Sequence, residues 1–92
     1  MNKMETIEAT AKGKTCKIGK IDQGMVHIEM DFSPFDQWVF IPSLRYYTGV
    51  QRISNVADYG NGTGRVTLLL EPGRDEFFLQ DVLVHLMKYL LI

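Results

Sequence analysis

Apolar residues recur along this chain at two spacings. From Met25 to Phe32 they alternate, with Val26, Ile28, Met30 and Phe32 on one side and Met25, His27, Glu29 and Asp31 on the other. That is the period of a strand with one buried and one wet face. From Asp75 to Ile92 (DEFFLQDVLVHLMKYLLI) the period lengthens. At about 100° per residue, Phe78, Tyr89, Val82, Leu86, Leu79, Leu90, Leu83 and Met87 fall on one arc covering roughly half the circumference. The segment is a helix, and a very apolar one. Its polar side is a narrow strip of Asp81, Lys88 and His85, with Gln80 on one flank. Phe77, Val84 and Leu91 encroach on that strip from its edges.

The remaining segments are read from the same two periods and from turn chemistry. Residues 4–11 (METIEATA) alternate loosely and predict a strand. Thr15 to Ile21 predicts a second, paired with the strand that starts at Met25. A two-residue Gln23-Gly24 turn would set Ile18 opposite Glu29. A three-residue loop, Asp22-Gln23-Gly24 with Gly24 left-handed, sets Ile18 opposite Ile28, Cys16 opposite Met30 and Lys17 opposite Glu29, the register that keeps apolar residues on one face. Ser33-Pro34-Phe35-Asp36 opens a turn or one short helical turn. Trp38 to Ile41 (WVFI) reads as a short buried strand closed by Pro42, and residues 43–49 fit a one-turn helix stopped by Gly49 or an extended segment equally. A second hairpin follows, Val50–Tyr59 and Arg65–Glu71 around GNGTG. A type I′ turn at Asn61-Gly62 would pair Tyr59 with Gly64, Asp58 with Arg65, Ala57 with Val66, Val56 with Thr67 and Ile53 with Leu70. Pro72-Gly73 suit the centre of a type II turn, and Asp75 and Glu76 suit the positive end of the helix dipole. The expected fold is α+β: an antiparallel sheet of five or six strands built from two hairpins, open or curled into a partial barrel, with one long C-terminal helix packed on it.

Ninety-two residues predict one domain, and 46% hydrophobic with 23% charged residues is an ordinary globular composition. The one cysteine, Cys16, has no partner for an internal disulfide, and no Cys/His cluster suggests a structural zinc. A reducing, cytoplasmic setting is therefore the expected one. MNKMETIEATAKGK lacks the apolar run of a signal peptide. In the C-terminal helix, Asp81, His85 and Lys88 argue against membrane spanning, since Asp or Lys near a helix centre costs about 2.5–3.5 kcal/mol on insertion. A net charge of −1 supplies no global pull toward nucleic acid or anionic lipid. The local exception is residues 12–20, where Lys12, Lys14, Lys17 and Lys20 stand without an acid.

Several constellations carry candidate chemistry. GNGTG resembles a phosphate-cradling loop only superficially, because a P-loop needs a Lys-Ser/Thr pair opening a helix and here Arg65 opens a strand. His27 and Glu29, two apart on one face, have the makings of a general acid–base pair, but no nucleophile or metal set accompanies them. His85 reads as a surface partner of Asp81, one turn earlier. Cys16 reads as a small core residue. Lys14, Lys17 and Lys20 with Trp38, Arg45, Tyr46, Tyr47 and Arg52 supply the cations and flat rings that single-strand binders use. The helix is the largest anomaly, because Phe77, Val84 and Leu91 leave it less polar circumference than a two-layer domain needs, and a leftover apolar strip marks an association surface. The leading expectation is thus a non-enzymatic interaction protein without cofactor, a homo-oligomer, small subunit or inhibitor that occupies a partner's surface. A single-stranded nucleic-acid-binding domain is the alternative, and an enzyme using His27 and Glu29 comes third.

Overall fold

The computed structural model describes residues 6–11, 13–35 and 40–90. Its strands are β1 (Thr6–Ala11), β2 (Lys14–Gly19), β3 (Met25–Met30), β4 (Val50–Asp58) and β5 (Gly64–Leu70), and its helices α1 (Phe40–Arg45) and α2 (Glu76–Leu90). The strands form one five-stranded antiparallel sheet in the order β1-β2-β3-β5-β4. β1 and β4 are its edges, so the sheet is open rather than closed into a barrel. β5 inserts between β3 and β4, and α1 lies on the connection that carries the chain past it.

Alternation sorts the side chains onto two faces. Cys16 and Ile18 of β2, Val26, Ile28 and Met30 of β3, and Val66, Leu68 and Leu70 of β5 point to one face and are buried there. Leu44 of α1 and Phe78, Leu79, Val82 and Leu86 of α2 close over them. Each aliphatic side chain withdrawn from water in this way stabilises the fold by about 1.5–3 kcal/mol. α2 lies chiefly against β1 and β2, and α1 against β4. Both helices cover the same face, and among the described residues the other face of the sheet has no helix on it.

The β2–β3 register is the expected one: Cys16↔Met30, Lys17↔Glu29, Ile18↔Ile28. The connection differs from the three-residue loop that the pattern suggests. Asp22 and Met25 bridge each other by two backbone hydrogen bonds, 2.8 and 2.9 Å, around a two-residue turn. Gln23 (φ 54°) and Gly24 (φ 80°) both take the left-handed conformation that a type I′ turn requires. Between that bridge and Ile18↔Ile28 the β2 side holds one residue more than the β3 side, and this extra residue restores the apolar register.

The second hairpin corrects the expected register by one residue. The pairs are Asp58↔Gly64, Ala57↔Arg65, Val56↔Val66 and Asn55↔Thr67, shifting at irregularities to Ile53↔Leu68 and Val50↔Leu70. The loop has three residues, Gly60-Asn61-Gly62, closed by a Tyr59 N–H donating to the Thr63 carbonyl at 3.1 Å. Gly60 and Gly62 are left-handed, at φ 79° and 87°. Two side chains fix this loop: Asp58 Oδ1 accepts from the Gly60 N–H at 3.0 Å, and Asn61 Oδ1 from the Thr63 N–H at 3.2 Å. Gly64 is not a turn residue. Pro34 lies on it, and a Cβ there would run into Pro34 Cδ and sit 2.8 Å from the Ala57 carbonyl oxygen.

The buried strand expected at 38–41 is also corrected. Phe40 and Ile41 are helical and begin α1. Pro42, rather than ending a strand, occupies the first turn of that helix, where its missing N–H costs nothing. Residues 38 and 39 lie outside the described residues. α1 ends at Arg45, and Gly49 (φ 101°) turns the chain into β4. Gly73 (φ 88°) sits in the expected turn before α2. Asp75 caps α2, its Oδ1 accepting from the N–H groups of Phe77 at 3.1 Å and Phe78 at 3.3 Å.

Candidate functional site

Two surfaces gather polar and aromatic side chains, one on each side of the sheet. The first is a cleft of about 550 Å³ between α1 and α2, lined by Ser43, Tyr46, Tyr47, Thr48, Arg74, Phe78, Asp81 and His85. Its floor is set by a close approach of backbone to ring. Gly49 carries no side chain, and a Cβ there would lie 2.6 Å from Phe78 Cζ, so only glycine lets the turn after α1 pass the Phe78 ring. The Glu71 N–H donates to the Gly49 carbonyl at 2.9 Å and ties that turn to the one before α2. Arg74, paired with Glu71 at 3.3 Å, is thereby held over the Phe78 ring, 5.0 Å from its centroid. Tyr47 tilts against Phe78 at 5.8 Å and against His85 at 4.5 Å between ring centroids.

His85 is therefore not the surface partner of Asp81 that its spacing suggests. It is half-buried and hydrogen-bonds the backbone carbonyl of Ser43. Burial holds its pKa below the ordinary imidazole value and Lys88 pushes the same way, against the Ser43 hydrogen bond. The Tyr47 phenol is pushed up by burial and by the charge of Asp81. The cleft is thus an aromatic trough with a cation, Arg74, at one lip and an anion, Asp81, at the other.

Beside it runs the outward side of α2. Phe77 is 75% exposed and Val84 61% exposed, two of the most open large apolar side chains described. Gln80, Asp81 and Lys88 share that side and are exposed. Tyr46, 80% exposed, stands at the opposite rim of the cleft. Leu91, the third member of the expected strip, lies outside the described residues.

The second surface is the helix-free face of the sheet. Across it Glu8, Lys17, Glu29 and Arg65 stand opposite one another in neighbouring strands, a row of alternating charge. Glu29 and Arg65 approach to 3.9 Å. At the end of the row a cleft of about 460 Å³ is lined by Glu8, Thr15, Lys17, Glu29, Met30, Asp31, Tyr59 and Thr63. His27 does not line it. His27 Nδ1 and Thr67 Oγ1 share a hydrogen bond of 2.8 Å, whereas Glu29 faces Arg65, so the suggested His–carboxylate pair has its members engaged with different partners. Cys16 lies on the other, apolar face. Burial, with a smaller push from Asp31, raises its thiol to about 12, the condition of an inert core cysteine.

The basic and aromatic residues of the nucleic-acid reading are divided between these surfaces. Lys17 and Arg52 are on the helix-free face, three strand positions apart. Lys14 starts β2, half-buried, and Lys20 is exposed in the following loop. Arg45, Tyr46 and Tyr47 belong to the helix layer on the other side. Trp38 lies outside the described residues. Lys17 is moreover flanked by two carboxylates, Glu8 and Glu29.

Among the described residues no three His, Cys, Asp or Glu side chains converge as a metal site, and no helix is long and apolar enough to cross a membrane. Comparison with known protein families, with curated proteins and with solved structures yields no match to this chain. Sequence reasoning missed Arg74, Asp81 and Tyr59 as lining residues. Arg74 and Asp81 acquire that role only when the turn at Gly49 meets α2, and no local spacing announces a meeting between distant segments.

Proposed function

We propose that the protein is a non-enzymatic interaction module that binds another protein through the outward side of α2 and the adjoining rim of the α1–α2 cleft. The observation that carries this reading is the exposure of Phe77 and Val84 on a helix whose opposite side is fully committed to the core. Large apolar side chains held open on a rigid, capped helix are the usual anchors of a helix-mediated contact, and aromatic rims such as Tyr46 extend them. A cytoplasmic setting goes with this reading, in which the lone thiol is a packing group.

The enzyme reading draws less support, because His27 and Glu29 are turned to separate partners and neither neighbours an activated nucleophile. The nucleic-acid reading draws less as well, because its cations lie on two faces and one, Lys17, stands between two carboxylates in neighbouring strands.

The test is a photo-reactive residue in place of Val84, compared with one in place of Lys17 on the far face. A discrete adduct is expected from position 84, competed by unlabelled parent protein and not by Val84→Lys, with none from position 17. No adduct at 84, or equal labelling at both positions, overturns the reading. A salt-sensitive complex with labelled single-stranded nucleic acid, weakening steeply from low to physiological salt, would replace it with the alternative.

A further inference from the structure

The outward side of α2 has an order that composition alone conceals. Phe77, Asp81, Val84 and Lys88 are spaced four, three and four residues apart, the spacing of one seam of a two-helix coiled coil. Apolar residues hold one set of seam positions and opposite charges the other. Neither charge forms a salt bridge among the described residues, where the ion pairs are Glu29–Arg65 and Glu71–Arg74.

Resting on the reading of α2 as the binding face, we infer that its partner is a second copy of this chain, docked as an antiparallel α2–α2 pair about a two-fold axis near Val84. The charges select this arrangement. Laid parallel, two such seams set Asp81 against Asp81 and Lys88 against Lys88. Laid antiparallel, they bring Asp81 of each copy beside Lys88 of the other and leave the two Val84 side chains together at the axis. A two-fold interface is self-complementary, so each favourable contact occurs twice. Polar residues at seam positions fix orientation at some expense of strength. α2 is 15 residues, about 22 Å, long, so the seam is short. The dimer is accordingly weak and concentration-dependent, in the range of transient rather than obligate interfaces.

Sedimentation velocity from roughly 10 µM to 1 mM tests this, a range that brackets weak association. The parent is expected to pass from monomer to dimer. Asp81→Lys and Lys88→Asp, each confirmed folded by an unchanged melt, are each expected to weaken dimerisation at least about twofold, since an exposed ion pair shifts an equilibrium about 1.4- to fivefold and two are lost. An equimolar mixture of the two variants restores the dimer, because every cross-contact is then between opposite charges. The Asp81→Lys/Lys88→Asp double variant restores it too. A parent that stays monomeric throughout overturns the inference. So does a dimer indifferent to both charge reversals, or single variants that fail to complement. If the parent is monomeric while position 84 still cross-links a different protein, the interaction reading survives and the second copy does not. If neither occurs, both fall.

Discussion

Gly64 shows how one residue answers to a segment far away in sequence. Its absent side chain makes room for Pro34, whose neighbour Ser33 donates from Oγ to Asp58 Oδ2 at 2.7 Å. Gly64→Ala should therefore cost about 1–3 kcal/mol by forcing Pro34 and the strand apart. Gly62→Ala meets open space and should cost only the left-handed backbone penalty of about 1–2 kcal/mol. Urea unfolding of the two variants checks the ranking, which reverses if Gly64 were merely a turn residue. Ionisation at single residues adds a pH signature. His85 is held below its unfolded value, so the unfolded chain binds the extra proton first as pH falls. The stability due to neutral His85 is complete above about pH 6.5 and is lost progressively from there down through the folded pKa. Asp58 works the opposite way in sign of charge but over a lower window. Its carboxylate is held below the usual value by the Ser33 hydroxyl and then the Gly60 N–H, so its contribution is lost only as pH falls through the acid range below about 4. Urea midpoints measured from pH 7.5 to 5 should fall for the parent and stay flatter for His85→Gln, and an identical slope in both would remove His85 as the cause.

At the scale of elements, what was legible followed from side chains that report on their immediate neighbours. Alternation in β3 and the need to keep Ile18 with Ile28 were enough to register β2 on β3, and a continuous apolar arc was enough for α2. What was not legible depended on contacts between distant segments. The β4–β5 register goes with Ser33 donating to Asp58 and Pro34 lying over Gly64, beside the local hydrogen bonds of Asp58 and Asn61, and Phe40–Ile41 became helical although a short apolar run carries no period of its own. The candidate cleft was hidden for the same reason, its aromatic floor joining Tyr47 to Phe78 and His85 across the fold. The charged row on the far face follows from register alone and yields an element-scale prediction. Glu29 stands between Lys17 and Arg65. Glu29→Lys makes three cations in a row, and with each cross-strand pair worth about 0.2–1 kcal/mol the sheet should lose roughly 1–2 kcal/mol, less at high salt. Glu29→Gln should lose only the attractive half. A salt-independent loss would mean that position 29 acts by packing.

The whole molecule is two layers, helices on one face of a five-stranded sheet and charged or polar residues on much of the other, and its stability rests on a single apolar face. α2 contributes to that face with one side and to the surface with the other, so the helix divides its own substitutions into two classes. Leu86 is fully buried against the sheet, whereas Val84, two residues away, is 61% exposed. Removing buried methylenes leaves a cavity as well as losing transfer energy, and Leu86→Ala should cost about 2–5 kcal/mol. Against a typical total of about 5–15 kcal/mol, that is a large share of what keeps a small domain folded. Val84→Ala opens no cavity in the monomer and should stay within about 0.5 kcal/mol. Unfolding measured at low protein concentration, where any association is absent, isolates the monomer term. At high concentration the two should part in a second way. Val84→Ala should lose the concentration dependence of the midpoint that binding between native chains confers, while Leu86→Ala, lower throughout, should keep it. Equal costs at low concentration would place Val84 in the core and leave α2 with no open side to bind with.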